Sequence, residues 1–406
     1  MALDKLLKKV DTEKMYRHVL NLTGIGVRHV LDTPEQLKAA AEYIYGQFKS
    51  YGVDARMQGF NLEGLDETMY NVEGWVGDPD QSAAVIISHY DTVFNTPGAN
   101  DNAAGVAVLL EISRVLSEEQ TKNGKEAVPT VRFVAVAQEE GNPIFESSIR
   151  ASAGRLGLKD DKQRYTTYQV AKIMKEHDAL TMRLYQDGRA GLKRPEAMAQ
   201  ATNRMAERLP AAVLEHLRDI DEIYKDVVYI PGTTGLMGSA AWMTEAKKMG
   251  KKIKYTICLD EIGRTRKEEN TQILPPGLTY DSMQTYKIDT ARNIGDWALY
   301  TTNGPGEKLG NVFSANCEHE SVDLHYGYFH IPYTYERLQQ EFSIAMGSDH
   351  AVFWYEDIPA LNLSDSAGWR PPYVGHTMGD TIDILDFEQI ARICKAVLLT
   401  FIDPTL

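Results

Sequence analysis

Apolar positions change their period several times along this chain, and each change marks an element. From Thr33, the stretch TPEQLKAAAEYIYGQFKSYGVD carries apolar residues at helical spacing. Thr33 is placed to cap that helix, Pro34 suits its first turn and Gly52 can close it. The opening MALDKLLKKVDTEKMYRHVL reads as one amphipathic helix, with Leu6, Leu7, Val10, Val19 and Leu20 on its apolar side. A continuous apolar, β-rich run follows in AAVIISHY (83–90), then a helical pattern in AAGVAVLLEISRVL (103–116) and a second strand pattern in TVRFVAVAQ (130–138). Strands apolar on both faces, alternating with helices, predict buried and largely parallel pairing in an α/β sheet.

The alternation stops at about residue 142 and resumes at about 233. GLMGSAAWMTEAKKMG reads as a helix, IKYTICLD and IPALNLSD as strands, and DFEQIARICKAVLLTFI as a closing amphipathic helix. Between the halves lie helical runs such as QRYTTYQVAKIMKEHDAL and RPEAMAQATNRMAERLPAAVLEHLRDIDEIY. That is too much chain for an ordinary connection. The expected organisation is a catalytic α/β domain made of 1–141 and 234–406, interrupted by an all-helical insertion over 142–233 that acts as a lid or a dimerisation arm.

Composition narrows the function classes. The formal net charge of −14 argues against nucleic acid or an anionic membrane as main partner. No apolar run approaches the roughly 18 residues that span a bilayer, and the start lacks a secretory pattern. Cys258, Cys317 and Cys394 are too few and too scattered for a disulfide framework or a zinc finger. Cytoplasmic residence is the expectation.

Histidines and carboxylates fall at the ends of the expected strands, where open α/β sheets build their sites. His89 and Asp91 end the first strand as HYD. Asp101 sits in the loop GANDNAAG before a helix, Glu139 and Glu140 end the second strand, Asp260 ends YTICL, and His376 lies in VGHTMGDTID. Zinc takes imidazole nitrogen and carboxylate oxygen, and a catalytic ion keeps a position open for water. Two ions need one bridging carboxylate plus further ligands for each. The set meets that count, with Asp101 bridging, His89 and Asp260 on one ion, and Glu140 and His376 on the other. Asp91 is placed to accept the second imidazole N–H of His89. Glu139, beside a ligand, is the expected general base.

Taken in order, HYD, GANDNAAGVAVLLE, the EE pair, GLMGS, LDEIGR, GSDHAVFW and HTMGDTID resemble the successive motifs of the zinc exopeptidase family that contains bacterial leucyl aminopeptidases, glutamate carboxypeptidase and glutaminyl cyclase. Single motifs of this kind arise by chance; seven in order do not. The resemblance covers about 33–140 and 235–400. It implies a three-layer sandwich around a mixed, largely parallel sheet of about eight strands, two divalent ions (zinc first), the ligand pairing above, and Glu139 as base. Ser348, Asp349 and His350 match an element near the site and are expected to support it or touch substrate without ligating. In the family the GLxGS helix follows the EE pair almost directly, whereas here the insertion intervenes. EEGNPIFESSIRASAGRLG also resembles zinc amidohydrolases that cleave N-carbamoyl amino acids and allantoate, enzymes with a separate lid and dimerisation domain.

The leading expectation is therefore a di-zinc aminopeptidase-type exopeptidase acting on a small peptide or amide. The alternatives are a small-molecule amidohydrolase or dipeptidase under a helical lid, and a non-catalytic scaffold on the same fold. A homodimer is expected by analogy. Tyr326 and Tyr328 are candidate oxyanion donors, and His319, His325 and His330 form a candidate third metal cluster whose alternative is ordinary loop histidines. Arg183, Arg189, Lys193 and Arg194 read as a solvated helical face, with a substrate-carboxylate contact as the minority reading. Cys258 reads as core.

Overall fold

The computed structural model describes residues 3–161, 163–187, 194–227, 230–274 and 278–406. Nine strands form one sheet: β1 (Asp54–Phe60), β2 (Met69–Val76), β3 (Ala83–His89), β4 (Val131–Val136), β5 (Ile253–Leu259), β6 (Gln284–Tyr286), β7 (Ala298–Thr302), β8 (Tyr326–His330) and β9 (Ala360–Ser364). Their order is β1-β2-β4-β3-β5-β9-β7-β8-β6. The centre, β4-β3-β5-β9, is parallel throughout, and antiparallel pairs join it to both flanks. The sheet is thus mixed, as expected, but parallel chiefly at its centre.

The central strands are apolar on both faces because both faces are covered. Every residue of β3 and β4 is buried. Ala84 and Ile86 point into a core shared with the helices Thr12–Ile25, Pro34–Ser50, Ala104–Asn123 and Phe387–Ile402. Val85 and Ile87 point to the opposite side, against Trp242 and Met243 of the helix Met237–Lys248 and Phe353 of His350–Tyr355. This is the period of two expected of a strand between helical layers.

Local chemistry shifts several boundaries. The opening helix is two, Leu3–Leu7 and Thr12–Ile25, because the Asp11 side chain accepts from the main-chain N–H of Lys14 and caps a new start. Its buried face is Met15, His18, Val19 and Leu22, so Leu20, at 47% exposure, lies on the other side. Pro34 does begin the helix Pro34–Ser50, but Thr33 does not cap it: its hydroxyl donates to the Val27 carbonyl at 2.7 Å.

Between the two halves stand the helices Pro143–Arg155, Tyr168–Asp187, Arg194–Met205 and Ala211–Tyr224. Among the described residues their one extended pairing is a single bridge, Lys159 to Tyr165. Ala153, Leu158, Met174, Val213, Leu217 and Ile220 form an apolar core there, separate from the two that flank the sheet. Arg189 and Lys193 lie outside the described residues.

Candidate metal centre

Three of the chemistry-bearing segments leave the sheet at one edge, the carboxyl ends of parallel strands. His89 is the last residue of β3, Glu139 and Glu140 follow β4, and Asp260 follows β5. Asp101 arrives from the turn before the helix Ala104–Asn123, with non-helical dihedrals at Asp101 and Asn102 and a cis peptide between them. That turn is fixed from several directions. The buried Asp380 carboxylate accepts the N–H groups of Asn100 at 2.7 Å and Asp101 at 3.1 Å. Asn102 donates to the Leu259 carbonyl at 2.8 Å, and a Cβ on Gly105 would come within 2.4 Å of Ser88 Oγ, so the helix can start this close to β3 only with glycine there. Arg28, fully buried, donates to the carbonyls of Tyr90, Pro97 and Gly98 and pins the loop leading to Asp101.

The five expected ligands converge. His89 Nε2 lies 3.2 Å from Asp101 Oδ1 and 3.3 Å from Asp260 Oδ1. His376 Nε2 lies 3.1 Å from Asp101 Oδ2 and 3.2 Å from Glu140 Oε2. The two oxygens of Asp101 thus face two different imidazoles. His89, Asp101 and Asp260 bring one ligand atom each within 4.8 Å of one another, and so do Asp101, Glu140 and His376; either trio could hold an ion. Glu140 Oε1 is buried with no hydrogen-bond partner, an acceptor waiting for positive charge.

Electrostatics agree with that need. Against the upward push of burial, His376 and His89 hold the Asp101 carboxyl well below the usual range. Burial pushes Glu140 up to about 7, with Asp101 adding to it. Glu140 and Asp101 raise His376, and Asp260 and Asp101 overcome burial to raise His89 well above an ordinary imidazole. Two imidazolium ions are the protein's own means of balancing these carboxylates. Divalent cations would replace those protons, and the donor set fits them.

Glu139 shares the centre: its carboxylate, His89 and Glu140 also gather within 4.8 Å. Burial raises it well above the usual range, with Glu140, Asp260 and Asp349 adding repulsion and His89 opposing. Asp91 differs in detail from its expected part. Its main-chain carbonyl lies 3.3 Å from His89 Nδ1 and its carboxylate 3.6 Å away. The carboxylate instead accepts the N–H groups of Glu139 and Glu140, each at 3.2 Å. It therefore orients both glutamates as well as standing beside the histidine.

Other expectations separate from the site. Tyr326 donates to Glu318 at 2.7 Å and Tyr328 pairs with Thr302 at 2.9 Å, both in the core under the helix Glu307–Cys317, so neither is an oxyanion donor here. The tyrosine beside the ligands is Tyr373, its ring 6.2 Å from that of His376 and its phenol pushed far up by burial and by Glu261 and Asp101. His319, His325 and His330 form no ligand cluster among the described residues; His319 accepts from Ser321 and His330 pairs with Thr302. Arg183 is exposed and donates to the Ala179 carbonyl of its own helix, and Cys258 is core, its thiol pushed up by burial. Asp349 is fully buried beside the site, while His350 Nε2 lies 2.6 Å from the Ala345 carbonyl and points away. Arg28, Glu261, Tyr373 and Asp380 were missed by sequence reasoning; for the last three the signal was their place within the LDEIGR and HTMGDTID segments and their flanks.

The chain was compared with known proteins on this footing. The model of peptidase family M28 matches residues 71–174 and 233–401. The uncharacterized protein YfbL of Escherichia coli is 32% identical over 405 residues, spanning 98% of this chain and 90% of that protein. A probable zinc metalloprotease of Pyricularia oryzae is 30% identical over 179 residues, 38% of this chain and 34% of that protein's length. The LapA aminopeptidase of Legionella pneumophila has the same fold, with a TM-score of 0.55 at 16% identity over 98% of this chain and 72% of that one. Helix and strand order, the ligand-rich edge of the sheet and a family match over residues 71–174 and 233–401 lead to one conclusion: the chain belongs to peptidase family M28.

Proposed function

We propose that the chain is a two-zinc exopeptidase of the aminopeptidase type. His89, Asp101 and Asp260 hold one ion, Asp101, Glu140 and His376 the other, and Glu139 is the general base. The observation that carries this reading is Asp101, whose Oδ1 stands 3.2 Å from His89 and Oδ2 3.1 Å from His376, one carboxylate serving two nitrogen-containing trios. A pair of divalent ions held by these residues would supply a water of lowered pKa and polarisation of a carbonyl oxygen. The remaining work belongs to the chain. Glu139 accepts a proton from the attacking water and delivers it to the departing nitrogen, a role served by a carboxyl whose proton affinity burial has raised. Asp91 holds the main chain of the Glu139–Glu140 pair, so one carboxylate is turned to a ligand position and the other to proton transfer. Tyr373 remains a neutral phenol and donates to the developing oxyanion.

Glu139→Gln removes the base while keeping shape and ligands. Zinc content should stay near two per chain, while kcat on an aminoacyl anilide should fall by about 10²–10⁴-fold. Full activity in that variant would sink the assignment.

A second reading, a dipeptidase or small amidohydrolase with the helical segment as lid, draws support from position. The helix Pro143–Arg155 starts three residues after Glu140 and is tied beside the site by Glu146 and Arg150. The division into 1–141 with 234–406 and an insertion over 142–233 is supported by the separate apolar core, and the family match pauses between 174 and 233. A homodimer is proposed by analogy with lidded relatives. Cytoplasmic residence is supported by three cysteines that are all buried and unpaired. No described helix is long and apolar enough to cross a membrane.

A further inference from the structure

The helical segment between the two halves leaves and rejoins the sheet beside the two glutamates of the metal centre. Glu140 is followed at once by Gly141 and then by Asn142, which starts the helix Pro143–Arg155. The chain returns over 232–236 and runs straight into the helix Met237–Lys248. Entry and exit meet there as a neck. The Glu139 carbonyl accepts the N–H groups of Gly141 at 2.8 Å and Leu236 at 3.1 Å, and the Gln138 carbonyl accepts that of Met237 at 2.8 Å. A Cβ at Gly235 would stand 2.9 Å from the Glu139 carbonyl oxygen, so it is glycine that lets the returning chain pack onto the main chain of Glu139.

Asn142 closes this neck. Its Oδ1 accepts the Ile144 N–H at 2.9 Å and caps the helix, while its Nδ2 donates to the Thr233 carbonyl at 2.6 Å, across 91 residues of chain. The two ends of one amide thus serve different tasks. Several residue types could cap the helix, but only an amide both caps it and ties Thr233. The glutamates are therefore held from two directions. Behind them, the Asp91 carboxylate accepts both of their N–H groups at 3.2 Å, the long end of the normal range. In front stand the returning chain and Gln138, whose amide donates to the Gly141 carbonyl at 3.2 Å.

We infer that Asn142 is a positioning residue for the Glu139–Glu140 pair. Its amide fixes the returning chain against the main chain of both glutamates, so the helical segment and the proton-transfer group move as one unit. This rests on the two-zinc reading above, which gives Glu139 its part as base and Glu140 its place as ligand. A displacement of about 1 Å at such a group lowers a rate by up to about 10²-fold with every reacting group still present.

Asn142→Ser isolates the junction, because serine caps a helix about as well as asparagine and carries no amide. Two measurements on the full chain test the inference: amide hydrogen exchange on chelator-treated protein, and steady-state hydrolysis of leucine p-nitroanilide and leucylglycine with zinc added. In Asn142→Ser, exchange should quicken about tenfold or more over 138–141 and 234–237 while 144–155 keeps its protection. With zinc near two per chain, kcat should fall about 10–100-fold and KM should stay within about twofold. Val213→Ala, in the separate apolar core of the helical segment, should leave kcat within about twofold of wild type. Faster exchange at the neck with kcat unchanged would reduce Asn142 to a structural tie and overturn the inference. Unchanged exchange, or an equal loss of kcat in Val213→Ala, would overturn it as well. A wild type that holds no zinc, or holds it and cleaves neither substrate, would instead remove the two-zinc reading and this inference with it, whatever the exchange shows.

Discussion

At the scale of single residues, the site depends on groups that never touch a ligand position. Asp380 is the clearest. Its carboxylate takes two main-chain N–H groups, from Asn100 and Asp101, where neither has another acceptor of that strength. Asp380→Ala leaves both buried donors unsatisfied and frees the turn that aims Asp101 at two imidazoles. Groups that orient ligands typically matter 10–100-fold in metal affinity. Competition with a chelator should show a loss of about that size for the Asp380→Ala protein, while far-ultraviolet circular dichroism stays native; unchanged affinity would count against Asp380 as the support. The convergence of the five candidate ligands was legible in the sequence because strand ends, a Gly/Asn-rich turn and paired acids are local signals. Arg28 was not. It works on carbonyls as far along the chain as Gly98, and nothing near residue 28 announces those acceptors.

At the scale of elements, legibility followed burial. The strands covered on both faces, β3, β4, β5 and β9, stood out as apolar runs. β1 and β2 escaped for different reasons: Asp54–Phe60 is mostly exposed or half-buried, and Met69–Val76, though largely buried, is interrupted by Asn71, Glu73 and Gly74. β6 is only three residues, and β8 lay hidden inside a stretch whose histidines suggested chemistry. Helical character was equally plain between 142 and 233, but how that segment meets the rest was not. Its first helix is fastened by an ion-pair network: Arg150 donates to both oxygens of Asp32 at 2.6 Å, and buried His29 lies 3.0 Å from Glu146. Arg150 and Lys159 both sit 5.4 Å over the Phe94 ring, in the loop between His89 and Asp101. His29, Asp32 and Glu146 could be taken for a metal trio, but Arg150 already supplies the cation. Arg150→Ala should cost about 1–3 kcal/mol of stability by leaving partly buried carboxylates unpaired. Limited proteolysis should then nick 142–233 faster while 1–141 and 234–406 survive; an unchanged cleavage pattern would deny the helix its anchoring role.

At the scale of the molecule, the fold gathers acidic groups at one edge of the sheet, and this makes stability depend on pH and metal together. Burial raises Asp349 and Asp380 to about 7 and Asp365 to about 6, as it raises Glu140. An unfolded chain releases those protons near pH 4, whereas the folded metal-free chain keeps them to pH 6 or 7, so between about pH 4 and 7 the folded state binds more protons. Its stability must therefore fall as pH rises through that window. His376 acts in the same sense above about pH 6.5, because its raised folded pKa contributes stability that is lost as pH climbs. Asp101, held low, acts only below about pH 4, in the opposite sense. Divalent ions bound as proposed would take the place of the protons on Glu140 and the two imidazoles, so loading should release protons and flatten the profile. Calorimetric melting of chelator-treated protein should show a falling melting temperature from pH 5 to 8, and added zinc should raise it most at pH 8. A metal-free profile that is flat or rises over that range would mean the acidic edge is balanced by something other than protons, and the charge argument for the metal centre would fail with it.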